Sequence, residues 1–260
     1  MSRFASVMIT GASSGLGRAL ALACAAPGTR LYLAGRDAER LDGVAAACRG
    51  RGAEVDARVL DVRDAEAMEH WVGEAGRLDL VIANAGISAG TEGGVETAAQ
   101  TRAIFAVNLD GVLNTVLPAM AAMAAQPPDA RGLRGRIAVV ASIASFVPAP
   151  GAPSYCASKA AVDAWTVATA ASARARGIGM TSICPGYVRT AMTARNRFPM
   201  PGLMDADRAA AIILRGVAAG RRRLAFPWWM GLAARLVGLL PPRLSAALLS
   251  PAGGKAAMAE

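Results

Sequence analysis

The sequence predicts an α/β fold, a doubly wound parallel sheet of about seven strands with helices on both faces. Two patterns support this fold class. Short apolar runs alternate with longer Ala- and Leu-rich helical segments along most of the 260 residues, as βαβ units require. A glycine-rich turn joins the first apolar run directly to the first helical segment. No internal repeat or linker interrupts this alternation, so residues 1–260 are predicted to form a single domain.

The predicted elements follow one another closely in chain order. Strands are predicted at Ser6–Thr10, Arg30–Ala34, Glu54–Val59, Leu78–Ala83, Arg136–Ala141 and Gly179–Cys184, with a weaker one at Leu224–Phe226. Helices are predicted at Gly15–Ala26, Asp37–Arg49, Asp64–Glu74, Val95–Ala125, Ser154–Arg176 and Asp205–Ala219. The segment Gln126–Gly135 carries Pro-Pro and two glycines, which predicts a surface loop.

Composition excludes several classes of protein. Hydrophobic residues make up 54% of the chain and charged residues 18%, which is typical of globular proteins. We find neither a signal peptide pattern nor an apolar stretch of the roughly 18 to 20 residues that a membrane span needs. The four cysteines are widely spaced, which favours buried, reduced thiols in a cytoplasmic protein and no metal site. They are Cys24, Cys48, Cys156 and Cys184.

The net charge of +9 is concentrated in the last third of the chain. From Arg174 onward there are 13 Lys and Arg against 3 Asp and Glu, whereas the rest of the chain has 15 against 16. A basic region of this kind attracts phosphate groups, anionic lipids or acidic partners. Aromatic residues do not interleave with the basic ones as in single-strand readers, and no DNA-reading motif is present, so nucleic acid is not an expected partner.

The first strand runs into the sequence TGASSGLG, Thr10–Gly17, and then into a helical segment. Gly11, Gly15 and Gly17 allow a tight turn and close approach to a pyrophosphate, which the helix N-terminus would bind through its N–H groups. This is the mechanism of a Rossmann-like dinucleotide site, although the spacing is TGxxxGxG and not GxGxxG. The alternative is a simple tight turn, and the strand-turn-helix context favours the nucleotide site.

The end of the second strand predicts the type of cofactor. Dinucleotide folds that bind NAD commonly place a carboxylate there, to hold the ribose 2′-hydroxyl. This sequence has Gly35 followed by Arg36, whose guanidinium can pair with a 2′-phosphate. NADP(H) is therefore favoured over NAD(H). Two alternatives stay open, because Arg36 could be an ordinary surface arginine and Asp37 could reach the ribose after a small backbone shift.

A tyrosine and a lysine form the candidate catalytic pair. The chain has three tyrosines and two lysines, and Tyr155 and Lys159 share one face of a predicted helix. A phenol has a pKa near 10, so we expect the Lys159 ammonium to lower the pKa of Tyr155. Ser142 ends the fifth strand at the edge of the sheet where ligands bind, and its hydroxyl can bond a substrate oxygen. Each residue alone could be structural, and their combination after a dinucleotide loop favours catalysis.

Together these motifs resemble the short-chain dehydrogenase/reductase family, in its single-domain branch. Further matches are Asp61-Val62 after the third strand, Asn84-Ala85-Gly86 after the fourth, Asn108 in the long helix, and Pro185-Gly186 followed by Thr190. The resemblance covers roughly residues 5 to 190. Ala83, Ala141 and Ser145 depart from commoner family residues without removing a catalytic group.

The resemblance implies a role for each matching residue. Tyr155 would be the general acid in reduction and the base in oxidation, Ser142 would orient the carbonyl, and Lys159 would bond the nicotinamide ribose. Asn108 would hold a water in a proton relay from Lys159, which makes it the fourth catalytic residue, while Ser142 and Tyr155 would contact the substrate. The implied cofactor-binding residues are Gly11, Ser13, Ser14, Gly15, Leu16, Gly17, Arg36, Asp61 (adenine), Val62, Asn84, Ala85, Gly86, Tyr155, Lys159, Pro185, Gly186, Val188 and Thr190. Family habit also implies a homodimer or homotetramer.

Residues 191–260 are predicted to form a substrate lid and a basic, apolar C-terminal extension. The segment Ala191–Asp205 contains several methionines, which favours a lipophilic, lipid-like small-molecule substrate or, alternatively, plain core packing. Within Arg221–Leu249, arginines flank apolar stretches and a Trp pair. A helix over Trp228–Leu240 is too short to span a bilayer but could lie on an anionic membrane surface. The alternative for this segment is a subunit interface or a pocket cover.

The function that the sequence favours is hydride transfer between NADP(H) and a carbonyl or secondary alcohol. A second hypothesis is a non-catalytic nucleotide-binding scaffold, which has no need for the full set of Asn108, Ser142, Tyr155 and Lys159. A third is a peripheral membrane protein that acts mainly through its C-terminal segment. An epimerase or dehydratase of the same superfamily is disfavoured by chain length and glycine spacing.

Overall fold

The computed structural model describes residues 4–91, 94–196 and 198–249. Its main feature is a seven-stranded parallel sheet with the strand order β3-β2-β1-β4-β5-β6-β9, and the short strands β7 and β8 pair with each other. The strands are β1 Ser6–Thr10, β2 Arg30–Gly35, β3 Glu54–Val59, β4 Leu80–Ala83, β5 Gly135–Val140, β6 Ile178–Pro185, β7 Val188–Arg189, β8 Met204–Asp205 and β9 Arg223–Phe226. This sheet, with helices on both faces, confirms the predicted fold class.

The helices lie between and after the strands. They are α1 Gly15–Cys24, α2 Ala38–Arg49, α3 Ala65–Glu74, α4 Ala98–Phe105, α5 Gly111–Ala125, α6 Pro153–Ala175, α7 Ala191–Ala194, α8 Ala206–Ala218, α9 Trp228–Gly238 and α10 Pro242–Leu249. A π-helical turn, Ala106–Asp110, joins α4 to α5, and a 3₁₀ turn, Ile143–Phe146, follows β5.

Two hydrophobic clusters cover the two faces of the sheet. One contains Leu20 of α1, Val44 of α2 and Ile213 of α8. The other contains Trp71 of α3 and Val162 of α6. Because both faces are covered, every residue of β1 and β4 is buried, which explains their continuous apolar sequences.

The strand order reverses between β1 and β4. From β1 the chain adds β2 and β3 on one side, then crosses to β4 and adds β5, β6 and β9 on the other. In open α/β sheets, ligands bind in the crevice that this reversal creates at the carboxyl ends of the strands. The loops after β1 and β4 are therefore brought together at one place.

Several predicted boundaries differ from the structure, and the starts of two elements differ for identifiable reasons. The fourth strand begins at Leu80 and not at Leu78, because the backbone of Leu78 bonds the side chain of Gln126 at both its N–H (2.7 Å) and its carbonyl (3.0 Å). The predicted helix Val95–Ala125 begins at Ala98, where the hydroxyl of Thr97 accepts a hydrogen bond from the N–H of Gln100 and caps the helix.

The helical stretch from Ala98 to Ala125 corrects another expectation. It is 28 residues long and apolar enough to cross a membrane by length and composition, although the sequence analysis found no such stretch. Half of its most apolar window is buried inside the protein, as in the core helix of a globular domain. Its α5 portion packs against α3 and β4.

The C-terminal extension is helical. After β9, the chain forms α9 and then α10, which ends at Leu249. The predicted helix over Trp228–Leu240 corresponds to α9, whereas α10 was not predicted. Residues 250–260, which include Lys255, lie outside the described part of the chain.

Candidate active site

A cavity of about 590 Å³ lies at the carboxyl edge of the sheet, at the reversal of strand order. All of the predicted site residues except Asn108 line it, together with other residues that the sequence did not indicate, and their roles stay predictions. The cavity extends from Arg36, which follows β2, to Ser142, Tyr155 and Lys159, which lie on the β5 side of the reversal in strand order.

The turn between β1 and α1 accepts only glycine at two positions. Gly11 has φ 65°, and a Cβ there would lie 2.8 Å from Cα of Ala85. A Cβ on Gly17 would lie 2.1 Å from the carbonyl oxygen of Gly11, which no real side chain could tolerate. The first turn of α1 thus approaches the strand end closely and directs its free N–H groups into the cavity.

Asn84 and Thr10 fix this turn to the end of β4. The amide of Asn84 donates hydrogen bonds to the carbonyls of Thr10 (3.0 Å) and Gly11 (3.2 Å). In return the Thr10 hydroxyl accepts from the N–H groups of Asn84 (3.1 Å) and Ala85 (3.2 Å). The side chain of Asn84 therefore shapes the turn. Thr10 was missing from the predicted site residues, although it opens the quoted motif.

Two arginines and one carboxylate after β2 line the cavity. Arg36 is exposed and lines the cavity together with Arg40, which the sequence analysis did not identify. The Asp37 carboxylate accepts from the N–H of Arg40 (2.9 Å) as the cap of α2, and it pairs with Nε of Arg40 at 2.9 Å. These contacts lower the pKa of Asp37, the backbone hydrogen bond from Arg40 most. Asp37 is thus engaged by α2, while Arg36 has no side-chain hydrogen bond among the described residues.

Asp61 lies at the end of the cavity that also contains Arg36. Its carboxylate pairs with Arg63 at 2.6 Å and accepts the N–H of Arg63 at 3.0 Å. The hydrogen bonds from the Arg63 side chain lower the pKa of Asp61 most, and the charge of Arg36 lowers it further. Asp61 is therefore ionised at neutral pH, and its implied contact with adenine stays a prediction.

Tyr155 and Ser142 meet at the opposite end of the cavity. Ser142 directly precedes the 3₁₀ turn, and its Oγ accepts a hydrogen bond from the N–H of Ala144 at 3.1 Å. Burial raises the pKa of Tyr155. The hydroxyl of Ser142 also hydrogen bonds to the Tyr155 phenol, and this bond lowers the pKa by a smaller amount. The expectation of a lowered pKa is therefore wrong. At neutral pH Tyr155 carries its proton.

Lys159 lies one helical turn after Tyr155 on α6 and is 4% exposed. Its ammonium donates a hydrogen bond to the carbonyl of Val140 at 2.7 Å. Burial lowers the pKa of Lys159 to about 8, so the side chain is mostly protonated at pH 7 and loses its charge in mildly basic solution. A buried group near its titration point, in a cavity that a tyrosine and a serine also line, is typical of an active site.

Asn108 is the one predicted site residue that does not line the cavity. It is fully buried in the π-helical turn, where its amide donates to the carbonyl of Ile87 (3.0 Å) and to Oγ of Ser158 (3.1 Å). Its Oδ1 accepts from the N–H of Ile87 at 2.8 Å. Asn108 therefore positions the loop after β4, and its implied role in a water relay stays a prediction. The irregular turn places this side chain where a regular helix would not.

The start of α6 is held by a residue that the sequence analysis missed. The carboxylate of Glu96 accepts hydrogen bonds from the N–H (3.2 Å) and the hydroxyl of Ser154, one residue before Tyr155. A carboxylate at a helix N-terminus satisfies free N–H groups and interacts favourably with the helix dipole. Nothing in the sequence indicates this pairing, since 58 residues separate the partners.

The segment after β6 lines the cavity and contacts the glycine turn. Thr190 caps α7 in a reciprocal capping box with Thr193. A Cβ on Gly15 would lie 3.0 Å from Cγ2 of Thr190, so the glycine turn and this segment are in close contact. Met192, on the predicted lid, lines the cavity and is 37% exposed.

These features fit a dinucleotide cofactor. Because Gly11 and Gly17 leave no room for a Cβ against Ala85 and the Gly11 carbonyl, the N-terminus of α1 lies close to the strand ends, at the cavity. The cavity is long enough to join a basic end at Arg36 to a proton-donating end at Tyr155. A pyrophosphate bound beside the glycine turn would lie at the N-terminus of α1, as its charge requires.

Comparison with known proteins agrees with this geometry. The family model described as short chain dehydrogenase matches residues 5–199. An uncharacterized oxidoreductase of Myxococcus xanthus is 34% identical over 242 residues, which are 92% of this chain and 93% of that protein.

Two solved structures are also similar. A short-chain dehydrogenase of Sphingobium yanoikuyae in complex with NADPH has TM-score 0.77 and 28% identity, covering 90% of this chain and 94% of that one. A short-chain dehydrogenase/reductase of Burkholderia phymatum in complex with NAD has TM-score 0.78 and 26% identity, covering 89% and 92%.

The family match spans the glycine turn, the end of β4 and the Ser142, Tyr155 and Lys159 group, and both the fold and the cavity agree with it. The chain belongs to the short-chain dehydrogenase/reductase family of oxidoreductases.

Proposed function

We propose that this protein is an NADPH-dependent carbonyl reductase, which also oxidises the corresponding secondary alcohol. One observation carries the proposal: a single cavity has Ser142, Tyr155 and Lys159 at one end and Arg36, an arginine without a side-chain hydrogen bond among the described residues, at the other. The first group suits proton transfer to a carbonyl oxygen, and the arginine suits a 2′-phosphate. When bound in this cavity, the nicotinamide would supply or accept the hydride.

Tyr155 supplies the proton in the reducing direction. Because burial keeps the pKa of Tyr155 above its ordinary value, the phenol is protonated at physiological pH and can donate to the developing alkoxide. Ser142 hydrogen bonds to the same phenol, so a carbonyl oxygen placed between the two hydroxyls would receive two hydrogen bonds. In the oxidising direction the same tyrosine must first lose its proton, which favours higher pH.

Lys159 adds a positive charge beside this pair. Its ammonium, held by the Val140 carbonyl, is the one described lysine near the cavity and stabilises negative charge as it develops on the tyrosine oxygen. A Cβ on Gly86 would lie 3.3 Å from Nζ of Lys159 and 3.2 Å from Oδ1 of Asn108. The glycine at position 86 therefore leaves the ammonium accessible to a ribose hydroxyl.

The preference for NADPH rests on the charges after β2. Asp37, the only carboxylate that could replace the usual acidic ribose ligand there, is engaged by Arg40 and by the N-terminus of α2. Arg36 extends into the cavity without a hydrogen-bonded side-chain partner among the described residues. A 2′-phosphate would give this guanidinium a bidentate partner, whereas a 2′-hydroxyl would leave it unpaired.

The substrate class follows from the apolar lid. Met192 lines the cavity and is partly exposed. Nearby, Tyr187 and Phe198 pack edge to face with their ring centroids 6.0 Å apart. Flexible thioether and aromatic side chains suit a lipophilic carbonyl compound of irregular shape, which is the substrate class that we propose.

The cofactor assignment is tested by titrating the purified protein with NADPH and with NADH while following nucleotide fluorescence. We expect NADPH to bind at least tenfold more tightly than NADH. Arg36→Asp should weaken NADPH binding about 100-fold, because a charged hydrogen-bonded pair is replaced by repulsion, and it should change NADH binding little.

Arg102→Asp is the matched control. Arg102 is also an exposed arginine, but it lies on α4 away from the cavity, so this variant should bind both nucleotides like the wild type. Equal affinity of the wild type for the two nucleotides, or an Arg36→Asp variant with unchanged NADPH affinity, would contradict the assignment.

A further inference from the structure

The exposed apolar side chains of this protein are concentrated on α9 and α10. Among the described residues, twelve large hydrophobic side chains are exposed, and eight of them lie in this segment. We call these eight the C-terminal surface: Trp228, Trp229, Leu232, Leu236, Leu239, Leu240, Leu244 and Leu248. A cluster of this kind is unusual on a protein surface and indicates a binding partner.

The helical spacing turns this surface outward as one continuous stripe. Trp228, Leu232 and Leu236 follow one another at intervals of four residues and are 74%, 50% and 57% exposed. The opposite side of α9, at Gly231 and Ala234, is buried against the protein. The stripe is therefore not the packing face of the helix, and nothing in the described part of the chain covers it.

The charge around the stripe has one sign. The charged residues of Trp228–Leu249 are two arginines, Arg235 on α9 and Arg243 on α10, and this segment has no aspartate or glutamate. Arg235 stacks on the ring of Phe146. Arg243 has no ion pair among the described residues. A partner for this region must therefore bring negative charge.

An anionic membrane meets both requirements better than a second copy of the chain. A two-fold dimer built on this surface would place identical arginines opposite one another, with no carboxylate from the same segment to pair with them. Anionic lipid headgroups would pair with the arginines while the leucines enter the acyl region. Tryptophans such as Trp228 and Trp229 are enriched at this boundary in membrane-bound proteins.

The length of α9 fits this mode of binding. Its eleven residues give a helix of roughly 16 Å, about half the thickness of the hydrocarbon core, so it would lie in the plane of the membrane. The helix also borders the catalytic cavity, because a Cβ on Gly186, which lines the cavity, would lie 2.8 Å from Sδ of Met230. Docking through α9 would thus hold the site beside the bilayer.

We propose that α9 and α10 bind the surface of anionic membranes through the C-terminal surface. The binding does not depend on the proposed reaction. Its consequence for catalysis, that a lipophilic carbonyl compound passes from the bilayer into the adjoining cavity, rests on the proposed function.

The test is co-sedimentation of the full-length protein with sucrose-loaded vesicles of phosphatidylcholine, with and without 30% phosphatidylglycerol. The test variant is L232Q/L236Q. The control is V59Q/L117Q, which replaces two side chains of similar exposure, 58% and 53%, on other parts of the molecule. NADPH titration and thermal denaturation of each variant show separately that the fold and the nucleotide site are intact.

We expect the wild type and the control to pellet with phosphatidylglycerol vesicles and not with phosphatidylcholine alone. L232Q/L236Q should bind at least tenfold more weakly, and Arg243→Gln about fivefold more weakly. Equal pelleting of wild type and L232Q/L236Q, or no pelleting of the wild type, would overturn the proposal. A third result would also overturn it: the wild type does not bind vesicles but sediments as a dimer, and L232Q/L236Q dissociates that dimer. This result would assign the surface to a second copy of the chain. None of these results affects the reductase assay, so failure of this proposal and failure of the proposed function are distinguishable.

Discussion

Helices α1 and α9 are similar in length and composition and differ in where their apolar side chains lie. Of the ten residues of α1, six are buried, whereas only two of the eleven in α9 are. Leu20 on α1 is fully buried between the sheet and α8, while Leu236 on α9 is more than half exposed. Apolar content alone therefore does not place a helix in the core. Another surface must cover it, and no described residue covers the exposed stripe of α9, for which we propose an anionic membrane.

Because of this contrast, truncating a leucine to alanine should affect the free energy of unfolding far more on α1 than on α9. Leu20→Ala should reduce the free energy of unfolding by about 3 kcal/mol, because it leaves a cavity in a close-packed core. Leu236→Ala should change it by less than about 0.5 kcal/mol, because the side chain is already in water. Urea denaturation followed by circular dichroism measures both variants. A loss of similar size in both would show that α9 is packed in solution and would break the comparison.

A change of pH should affect the functions of the two regions differently, and this effect is smaller than the difference in stability. The pKa of Lys159 is lowered to about 8 by burial, so its charge is present below that pH and is lost as the pH rises through it. With saturating NADPH, ketone reduction should therefore fall severalfold between pH 7 and 9. Vesicle binding should not change over this range, since arginine side chains stay charged.

Lys159→Arg is the control for this pH dependence. Its guanidinium cannot lose its proton, so whatever reductase activity remains should not fall between pH 7 and 9. A wild-type rate that is constant from pH 7 to 9, or vesicle binding that falls together with the rate, would contradict the assignment of the transition to Lys159.

Much of the fold could be predicted because its local signals agree with its tertiary structure. The predicted bounds of β1 and β3 match the structure, since apolar or alternating runs there are ended by turn residues. The cavity residues could also be predicted, because they follow strand ends that a parallel sheet brings to one edge. This reasoning requires no knowledge of individual side-chain contacts.

The remaining features depend on contacts between distant residues. The bonds of Asn108 to Ile87 arise from an irregular turn, which no periodicity indicates. The ion pair of Asp163 with Arg223 joins residues 60 positions apart. The capping role of Asp37 is the exception, because an aspartate directly before a helical segment is a recognised N-cap signal. The sequence could therefore have indicated that its carboxylate bonds the first turn of α2. The raised pKa of Tyr155 reflects burial, which spacing alone does not reveal.

The central claim is that Tyr155 donates the proton to a carbonyl oxygen in an NADPH-loaded site. The most direct measurement follows NADPH oxidation at 340 nm with a panel of lipophilic ketones, for the wild type and Tyr155→Phe, together with NADPH titration of both. The account predicts turnover by the wild type, a loss of at least about 1,000-fold in kcat/KM for Tyr155→Phe, and NADPH affinities within threefold of each other. A Tyr155→Phe variant that reduces the same ketones at a rate near that of the wild type would contradict it.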